Sequence, residues 1–271
     1  MIKKEIGHLL SALREKTPLV HQITNYVTAN DCANVTLAIG ASPVMADGVD
    51  EVEQMVSIAS SLVLNTGTLN EFSVKASILA GGKANELGIP VILDPVGAGA
   101  TKYRTDSIRK ILSEVKLSVI RGNLSEIKTL YGIETNTKGV DSLEKLNEKE
   151  DINIAKNLSK KTGAIIAITG KRDIITNGEK TYLVENGHSI MSKVTGTGCM
   201  CTSVIGSFLG SSNNSLLAAL SGVVSIGLAG EIANESLKDN EGTGTLKVKI
   251  IDNLYNLNSN IIKERGKIYE K

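Results

Sequence analysis

The feature that most constrains the fold of this chain is the alternation of short apolar runs with longer amphipathic ones. Runs such as 89–93 and 164–169 are almost wholly apolar, which is typical of strands that are buried on both faces. Between such runs, apolar side chains recur at helical spacing. Strands that are separated by helices pair in parallel, with the helices on both faces of the sheet. The sequence therefore predicts an α/β protein with a mainly parallel central sheet.

The predicted elements follow one another with short connections. Asn177-Gly178 between two β-rich runs is the strongest hairpin signal and predicts an antiparallel pair over 173–176 and 180–184. Residues 134–150 are polar and have little pattern, so we expect a surface excursion there. Other strands are predicted over 19–23, 41–46, 61–65, 89–93, 117–120 and 164–169. Helices are predicted over 5–16, from a cap at Asn30 or Asp31 to about 39, and over 49–60, 70–87, 106–115, 125–131, 152–162, 200–210, 214–236 and 248–264.

Composition narrows the classes of function that the chain can have. Its 271 residues fit one large α/β domain, and 41% hydrophobic against 22% charged residues supply a sizeable core. Neither a linker rich in proline or serine nor an internal repeat is visible, so we expect a single domain over 1–271. A net charge of +1 and only 3% aromatic residues argue against nucleic-acid binding, which uses basic surfaces and stacking side chains.

The cysteines and the apolar runs indicate a cellular location. Three cysteines are too few for a disulfide framework and are typical of a reducing compartment. The first residues lack the apolar block of a signal peptide. The longest apolar run, 216–230, is interrupted by Ser221 and Ser225 and is too short to span a bilayer. We therefore expect a soluble, cytoplasmic protein without a membrane partner.

A glycine-rich stretch late in the chain has the sequence Val194-Thr195-Gly196-Thr197-Gly198-Cys199-Met200-Cys201. Two glycines two residues apart leave the backbone free of Cβ atoms, so that consecutive N–H groups can turn toward one point. If a helix begins near Cys199, its unpaired N–H groups and the positive end of its dipole point there too. Such a turn binds an anion, of which phosphate is the commonest. A tight turn before a buried helix is the alternative interpretation.

Small, polar or charged residues also recur where the other predicted strands end. In parallel sheets, ligands bind beyond the carboxyl ends of the strands, and here those ends carry 66–68, Asp94, Arg121 and 169–170. Asp94 is either a turn-forming residue before a proline or a carboxylate near Mg²⁺ or a phosphate. Arg121 ends a buried strand, where a guanidinium needs a partner such as a nucleotide phosphate.

Asn123 and Glu126 lie three residues apart at a strand-to-helix junction. This is the spacing of a capping box, in which Asn caps the helix and Glu returns a hydrogen bond. The same spacing directs a carboxylate into the cleft, where it holds a hydrated Mg²⁺ that keeps most of its waters. Both interpretations stay open on the residues alone.

Other motifs in the chain give weaker indications of chemistry. Cys199 and Cys201 are two apart, so on a helix they do not face each other and do not form a metal site. The three histidines are scattered, which gives no support to a Ser-His-Asp hydrolase. The segment 97–102 resembles a dinucleotide fingerprint but has a lysine at the third small position. A GxxxxGK[ST] loop is also missing, so an ATP site here would not be a P-loop.

Six short segments occur in order along the chain and form a more specific pattern. They are HQITNYV at 21–27, ASPVM at 41–45, LNTGT at 64–68, LDPVGA at 93–98, RGNLSEI at 121–127 and GTGC at 196–199. This set resembles the ribokinase-like superfamily and, within it, the hydroxyethylthiazole kinase family. The resemblance covers essentially the whole chain and is weakest at 134–150 and at the last few residues. It implies a three-layer ribokinase-like fold in which a late antiparallel hairpin extends the parallel sheet.

The resemblance also implies a reaction and a set of site residues. The family phosphorylates the hydroxyl of 4-methyl-5-(2-hydroxyethyl)thiazole with ATP and Mg²⁺, in thiamine biosynthesis and salvage. Its members are homotrimers with active sites at subunit interfaces, which Asn25 and Val27 would reach from a neighbouring subunit. By motif, the thiazole would contact Met45 and Gly196 and lie near Pro43, Gly67 and Cys199. ATP would contact Arg121, Thr169 and Asn123, and Mg²⁺ would be held through water by Asp94 and Glu126. The catalytic turn would consist of Gly196, Gly198 and Cys199.

Cys199 stands where the superfamily usually has an aspartate that acts as the base for the attacking hydroxyl. This departure is common to the hydroxyethylthiazole kinase family. A thiol with a pKa of about 8.5 is mostly protonated at neutral pH. The helix N-terminus lowers that pKa, whereas a bound phosphate raises it. A weak base suffices if the transition state is loose, because little charge has then developed on the nucleophile.

Three further functions stay open on the sequence. The chain could be a kinase for another small alcohol, such as the pyrimidine of thiamine. It could be an ATP-dependent hydrate dehydratase, which is a lyase, or a binding protein without catalysis. Cys199 and the segments around Asn25 and Met45 favour the thiazole as substrate, whereas Asp94 and Glu126 argue against a binding protein without catalytic activity.

Overall fold

The computed structural model describes residues 1–133 and 148–271, and one nine-stranded sheet runs through them. The strands are β1 (Leu19–Ile23), β2 (Ser42–Val44), β3 (Ser61–Asn65), β4 (Val91–Asp94), β5 (Val119–Gly122), β6 (Ile165–Ile168), β7 (Asp173–Thr176), β8 (Thr181–Val184) and β9 (Ile268–Glu270). Their order across the sheet is β2-β1-β3-β4-β5-β6-β7-β8-β9. The first six strands are parallel and the last three pair antiparallel. The predicted mainly parallel sheet with a late hairpin is confirmed.

Helices cover both faces of the sheet and complete three layers. They are α1 (Ile2–Lys16), α2 (Ala29–Ile39), α3 (Val52–Ser57), α4 (Glu71–Glu86), α5 (Lys102–Glu114), α6 (Leu124–Tyr131), α7 (Glu148–Thr162), α8 (Thr197–Leu209), α9 (Ser215–Glu235), α10 (Thr243–Asn256) and α11 (Ser259–Arg265). One core joins the sheet to α1, α2 and α8 to α11, and a second core joins its other face to α3 to α7. Side chains of the inner strands alternate between the two cores, so these strands are buried on both faces and have continuous apolar sequences, whereas the edge strands β2 and β9 are partly exposed.

The neighbouring strands β1 and β3 mark the point where the chain changes direction across the sheet. The chain leaves β1 for α2 on one face, whereas it leaves β3 for α4 on the other. A crevice opens at such a point beyond the carboxyl ends of the strands. Helix α8 lies antiparallel to these strands: Thr202 near its start contacts Asp94 at the end of β4, and Gly210 after its end lies against Pro18 before β1. The first turn of α8 therefore faces the crevice.

Helix α9 is the one helix of the described ranges that is long and apolar enough to cross a membrane. In this protein 83% of its most apolar 18-residue window is buried. It packs between α8 and α10 and against β6 and β7. Its apolar surface is therefore covered by the protein's own core, which agrees with the predicted buried helix.

Several predicted boundaries differ from the structure, most of all near the carboxyl terminus. The single helix predicted over 248–264 is wrong: Leu257 is extended and Asn258 caps a separate helix by accepting hydrogen bonds from two backbone N–H groups. Strand β9 was not predicted, because its three residues pair only at the edge of the sheet. Helix α5 begins at Lys102 because Thr101 caps it. The excursion predicted for 134–150 falls on residues outside the described ranges, except that 148–150 open α7.

Candidate active site

The glycine-rich stretch forms the N-terminus of α8, as the sequence predicts, although the helix begins at Thr197 rather than near Cys199. Gly196 is the N-cap with a φ of +86°, which favours glycine. The first helical hydrogen bond runs from Met200 N–H to the Gly196 carbonyl at 2.8 Å. The N–H groups of residues 197–199 therefore precede the helical ladder and are available to an anion. A Cβ on Gly196 would lie 2.4 Å from Thr28 Cγ2, so the turn also packs tightly against the loop after β1.

Asp94 ends β4 directly beside this helix and is fully buried. Its Oδ2 accepts hydrogen bonds from Thr202 Oγ1 at 2.8 Å and from Asn65 Nδ2 at 3.0 Å, and it lies 3.5 Å from Arg121 Nη1. Its Oδ1 has no hydrogen-bond partner among the described residues. Burial raises the pKa of Asp94, and the Arg121 charge opposes that rise. A buried carboxylate oxygen without a partner is costly and marks a functional position.

Arg121 and Thr169 meet at the ends of β5 and β6. The Arg121 guanidinium is 12% exposed and donates through Nη2 to Thr169 Oγ1. A Cβ on Gly198 would lie only 2.6 Å from Nη1, so the guanidinium lies against the first turn of α8. A cation and a helix N-terminus next to each other favour binding of an anion between them.

A pair of asparagines links the loop after β1 to the glycine-rich turn. Asn25 Nδ2 lies 2.9 Å from Asn65 Oδ1 and 3.4 Å from Cys199 Sγ. The family resemblance implies that Asn25 reaches the site of a neighbouring subunit. Within one chain, the Asn25 side chain is 4% exposed and contacts Cys199 of the same chain. Val27 is different, since its side chain is 57% exposed.

Cys199 is partly exposed, whereas Cys201 is buried in the core beneath it. Burial raises the pKa of the Cys199 thiol, and the nearby Asp94 carboxylate raises it further. The net direction is upward, so the thiol is mainly protonated at neutral pH. Cys199 and Cys201 are two residues apart in α8 and do not share a face of the helix.

Asn123 and Glu126 form the capping box at the start of α6. Asn123 Oδ1 accepts from Glu126 N–H at 2.8 Å, and Glu126 Oε2 accepts from Asn123 N–H at 2.8 Å. The other carboxylate oxygen, Oε1, accepts from Gly97 N–H at 2.9 Å. Burial raises the pKa of Glu126, and the Asp94 carboxylate raises it further. The two carboxylates therefore lie close enough to repel each other.

These two carboxylates fit a hydrated Mg²⁺. Asp94 offers an unpartnered oxygen, and each oxygen of Glu126 has one backbone donor and a second lone pair. No cluster of three or more metal-ligating His, Cys, Asp or Glu side chains occurs in the described parts of the chain. One or two carboxylates with water completing the shell are what Mg²⁺ prefers, whereas a closed cage is typical of other metals.

The remaining predicted substrate residues lie around the crevice at different distances from this network. Gly67 follows β3, and its N–H donates to Asn65 Oδ1 at 2.9 Å. Pro43 lies in β2 at the edge of the sheet, opposite Val20 of β1. Met45 follows β2 and is half-buried. The turn after Met45 is held by His21, whose Nε2 lies 2.6 Å from the Ala46 carbonyl oxygen.

Three residues of the site were not assigned a role from the sequence. Asn65 and Thr202 both hold Asp94. Arg104 on α5 donates to the carbonyls of Thr66, Gly67 and Val96 at 2.6, 2.7 and 3.1 Å, and so joins the loops after β3 and β4. Asn65 ends an apolar strand, which is a usable signal; Thr202 and Arg104 lie within helices and give none.

Taken together, the ends of β3 to β6 and the start of α8 form one polar centre. It combines free helix N–H groups, a buried arginine, two acidic side chains and a thiol. Such a centre can hold a polyphosphate and a divalent cation beside a nucleophile, which suits phosphoryl transfer.

Comparison with known proteins agrees with this chemistry. The model of the hydroxyethylthiazole kinase family matches residues 10–260. The chain belongs to this family. It is 58% identical over 271 residues to the hydroxyethylthiazole kinase of Clostridium tetani, covering 99% of this chain and 98% of that relative. The family members are kinases, and this chain is a kinase of the same class.

Solved structures support the family and the fold. A structure of hydroxyethylthiazole kinase protein from Pyrococcus horikoshii is 40% identical, has a TM-score of 0.90 and shares 99% coverage of both chains. Pyridoxal kinase from Staphylococcus aureus, solved with AMP-PCP and pyridoxal, is 16% identical with a TM-score of 0.63 over 93% of this chain and 98% of that one. At that identity the likeness shows the fold alone, which is the predicted ribokinase-like one.

Proposed function

We propose that this chain transfers the γ-phosphoryl group of ATP to the hydroxyl of 4-methyl-5-(2-hydroxyethyl)thiazole, as a step of thiamine biosynthesis or salvage. The observation that carries the proposal is the meeting of Arg121, Asp94 and Cys199 at the N-terminus of α8. Membership of a family of kinases named for this alcohol supports the choice of substrate.

On the nucleotide side, we assign charge stabilisation to Arg121 and to the start of α8. Phosphoryl transfer has little covalent demand, so that alignment and charge stabilisation supply most of the catalysis. Arg121, braced by Thr169, lies beside the N–H groups of residues 197–199. Together they would bind the negative oxygens of the transferring group. Asn123 at the start of α6 would border the same nucleotide.

On the acidic side, Asp94 and Glu126 would hold Mg²⁺ through water, and the ion when bound neutralises charge on the phosphate oxygens. Thr202 and Asn65 fix the orientation of Asp94 by donating to Oδ2, which leaves Oδ1 for this purpose. The backbone N–H groups of Gly97 and Asn123 fix Glu126 in the same way.

On the alcohol side, we assign the acceptor to the crevice between the loops after β1, β2 and β3. Gly67 and Gly196 would border the thiazole ring, with Pro43 and Met45 at its outer side. Cys199 would accept the hydroxyl proton as the bond to phosphorus forms. Only the thiolate form can accept this proton. Because the raised pKa keeps the thiolate a minor form at neutral pH, the help is weak, and it suffices only for a loose transition state.

We further propose that the chain acts as a single domain over 1–271 in a cytoplasmic homotrimer. Exposed apolar side chains beside the crevice support an interface there. Tyr26 is 84% exposed, Val27 is 57% exposed and Phe72 at the start of α4 is 75% exposed. Large exposed apolar side chains that lie near one another are typical of contact surfaces. Val27 of one subunit would then border the site of the next.

Light scattering of the purified chain tests the trimer. We expect the mass of three chains for the wild type and a lower mass for Val27→Glu, which places a charge in the proposed interface. Ile58→Glu is the matched control, because Ile58 is 69% exposed but lies before β3, at the opposite end of the sheet. A monomeric wild type would refute the assembly.

Nucleotide consumption coupled to phosphorylation tests the reaction. The wild type is incubated with Mg²⁺ and ATP and with one acceptor at a time: the thiazole alcohol, hydroxymethylpyrimidine or hydrated nicotinamide cofactor. We expect ADP and a phosphorylated thiazole from the first arm only. Phosphorylation of the pyrimidine instead would assign another kinase activity, and dehydration of the cofactor would assign a lyase. Binding without ADP release in every arm would leave a binding protein and contradict the proposal.

A further inference from the structure

The side chain of Asn65 connects the acidic side of the proposed site, at Asp94, with the alcohol side, at Asn25 and Cys199. Asn65 ends β3 and is paired in register with Asp94 at the end of β4. Its Nδ2 donates to Asp94 Oδ2 at 3.0 Å, while its Oδ1 accepts from Asn25 Nδ2 at 2.9 Å. The side chain is 8% exposed, so water does not readily replace these bonds.

Backbone donors fix the direction of this hydrogen-bond chain. The Gly67 N–H can only donate, and it bonds to Asn65 Oδ1 at 2.9 Å, which turns Asn65 Nδ2 toward Asp94. The Thr28 N–H likewise bonds to Asn25 Oδ1 at 3.1 Å, which turns Asn25 Nδ2 toward Asn65 and Cys199. A flip of the Asn65 amide would leave the Gly67 N–H without its acceptor. A flip of the Asn25 amide would remove the acceptor of Thr28 Oγ1 and leave the Thr28 N–H only the longer bond, at 3.3 Å, to the Asn25 carbonyl.

We propose that Asn65 is a positioning residue that holds the Asp94 carboxylate and the Asn25–Cys199 pair at a fixed separation for phosphoryl transfer. This inference rests on the proposed function. Asp94 belongs to the acidic side of the site and Cys199 to the alcohol side. The planar amide of Asn65 bonds to Asp94 on the first side and to Asn25, the neighbour of Cys199, on the second. A change of about 1 Å in such a separation can cost about 10²-fold in rate.

A turn-forming role for Asn65 is the competing explanation. The bond from Gly67 N–H to Asn65 Oδ1 is an Asx turn, which many strand ends have for local reasons. That bond needs only an acceptor oxygen. Asn65→Asp therefore keeps the acceptor for Gly67 and Asn25, and in its ionised form it cannot donate to Asp94, so it separates the local role from the positioning one.

Steady-state kinetics of wild type, Asn65→Asp and Asn65→Ala test the proposal. We expect kcat to fall by about 10²-fold in both variants, with much smaller changes in the KM values for ATP and the alcohol. Asn70→Ala is the matched control from the same strand-to-helix connection, where Asn70 Oδ1 caps α4 by accepting from Ser73 N–H at 3.0 Å. This control should unfold at lower denaturant concentration but keep the kcat of the wild type.

Alkylation of Cys199 in the free protein gives a readout that does not depend on turnover. Cys199 is the accessible thiol, because Cys32 is 0% exposed and Cys201 is 3% exposed. Asn25 Nδ2 lies 3.4 Å from this thiol and is held by Asn65 Oδ1, so a carboxylate at position 65 would place a negative charge near the thiol and disfavour its ionised form. At a fixed neutral pH, Asn65→Asp should therefore slow iodoacetamide labelling of the peptide that contains Cys199. Asn70→Ala should label at the wild-type rate.

The outcomes distinguish this inference from the proposed function. If the wild type is active and Asn65→Asp has the same kcat, the positioning role is overturned while the kinase assignment stands. A wild type that does not phosphorylate the thiazole alcohol removes the proposed function, and slow labelling of Cys199 in Asn65→Asp then still supports the link between Asn65 and the thiol. Equal labelling of the two proteins overturns that link.

Discussion

The guanidinium of Arg121 lies so close to Gly198 that a Cβ on this glycine would come within 2.6 Å of Nη1. Gly198 is not among the glycines with a positive φ, whereas its neighbour Gly196 has a φ of +86°. The two glycines of the turn therefore serve different purposes. Gly196 allows the backbone to enter the helix, and Gly198 leaves room for a cation beside the helix N-terminus.

Gly198→Ala should therefore impair nucleotide binding more than folding. The backbone of Gly198 accepts an alanine, but its methyl group would push Arg121 away from Asp94 and Thr169. We expect the KM for ATP to rise by about tenfold, which corresponds to one charge-assisted hydrogen bond. Steady-state kinetics with varied ATP measure this. An unchanged KM for ATP would show that Arg121 does not bind the nucleotide.

The control for this substitution is Gly82→Ala in α4. A Cβ there would meet nothing within 4 Å. Because glycine costs conformational entropy in a helix, Gly82→Ala should raise the free energy of unfolding by about 0.5–1 kcal/mol and leave the kinetics unchanged. A similar rise in KM in both variants would point to a general effect of added alanine.

Arg104→Ala should loosen the loops that border the crevice. Arg104 donates to three backbone carbonyls, those of Thr66, Gly67 and Val96. Loss of these hydrogen bonds should lower the free energy of unfolding by about 1–3 kcal/mol and raise the KM for the alcohol. Arg109→Ala on the exposed side of the same helix should change stability by less than about 0.5 kcal/mol. Denaturant unfolding of the two variants checks this, and equal stabilities would show that the hydrogen bonds of Arg104 do not hold the two loops together.

Asp173→Asn should alter how stability depends on pH. Burial raises the pKa of Asp173 to about 7, above its value in the unfolded chain. The wild type therefore loses stability as the pH rises from about 4 to 7, by at most about 4 kcal/mol at roughly 1.4 kcal/mol per pKa unit. Asparagine keeps the oxygen that accepts from Gly170 N–H and does not ionise.

Unfolding measured across this range checks the sign. Near pH 4 the two proteins should have similar stabilities, and the variant should become the more stable one as the pH rises. A wild type that gains on the variant as the pH rises would contradict the raised pKa of Asp173.

The sequence predicted the layers of the fold because strands buried on both faces have short, continuous apolar runs that alternate with longer amphipathic segments. It also located much of the site, since polar residues at strand ends such as Asp94 and Arg121 have few local reasons to be there. Asn65 could have been noticed at the end of an apolar strand, but the hydrogen bonds from Asn65 and Thr202 to Asp94 could not be predicted, because they depend on which strand and helix lie side by side. The division of the last helix at Leu257 was missed for another reason: Asn258 is an ordinary cap without a glycine or proline to mark it.

Substitutions of Cys199 test whether the thiol acts as the base. Burial and the Asp94 carboxylate raise the pKa of the thiol, so the wild-type kcat should increase with pH as more thiolate forms. Cys199→Ala should remove this increase and lose at most about 10²–10⁴-fold, the usual size of general-base help. Cys201→Ala, a buried control on the same helix, should keep the wild-type pH profile.

Cys199→Asp completes this test, because it places a carboxylate where the thiol stands. An ordinary aspartate has a pKa of about 3.9, and although burial and Asp94 would raise it, it should ionise at lower pH than the thiol. We therefore expect the variant to keep activity and its kcat to reach a plateau at lower pH than that of the wild type. Complete loss of turnover in a folded Cys199→Asp protein would exclude a base at this position. The pH profile of kcat, with circular dichroism to verify folding, distinguishes the two results.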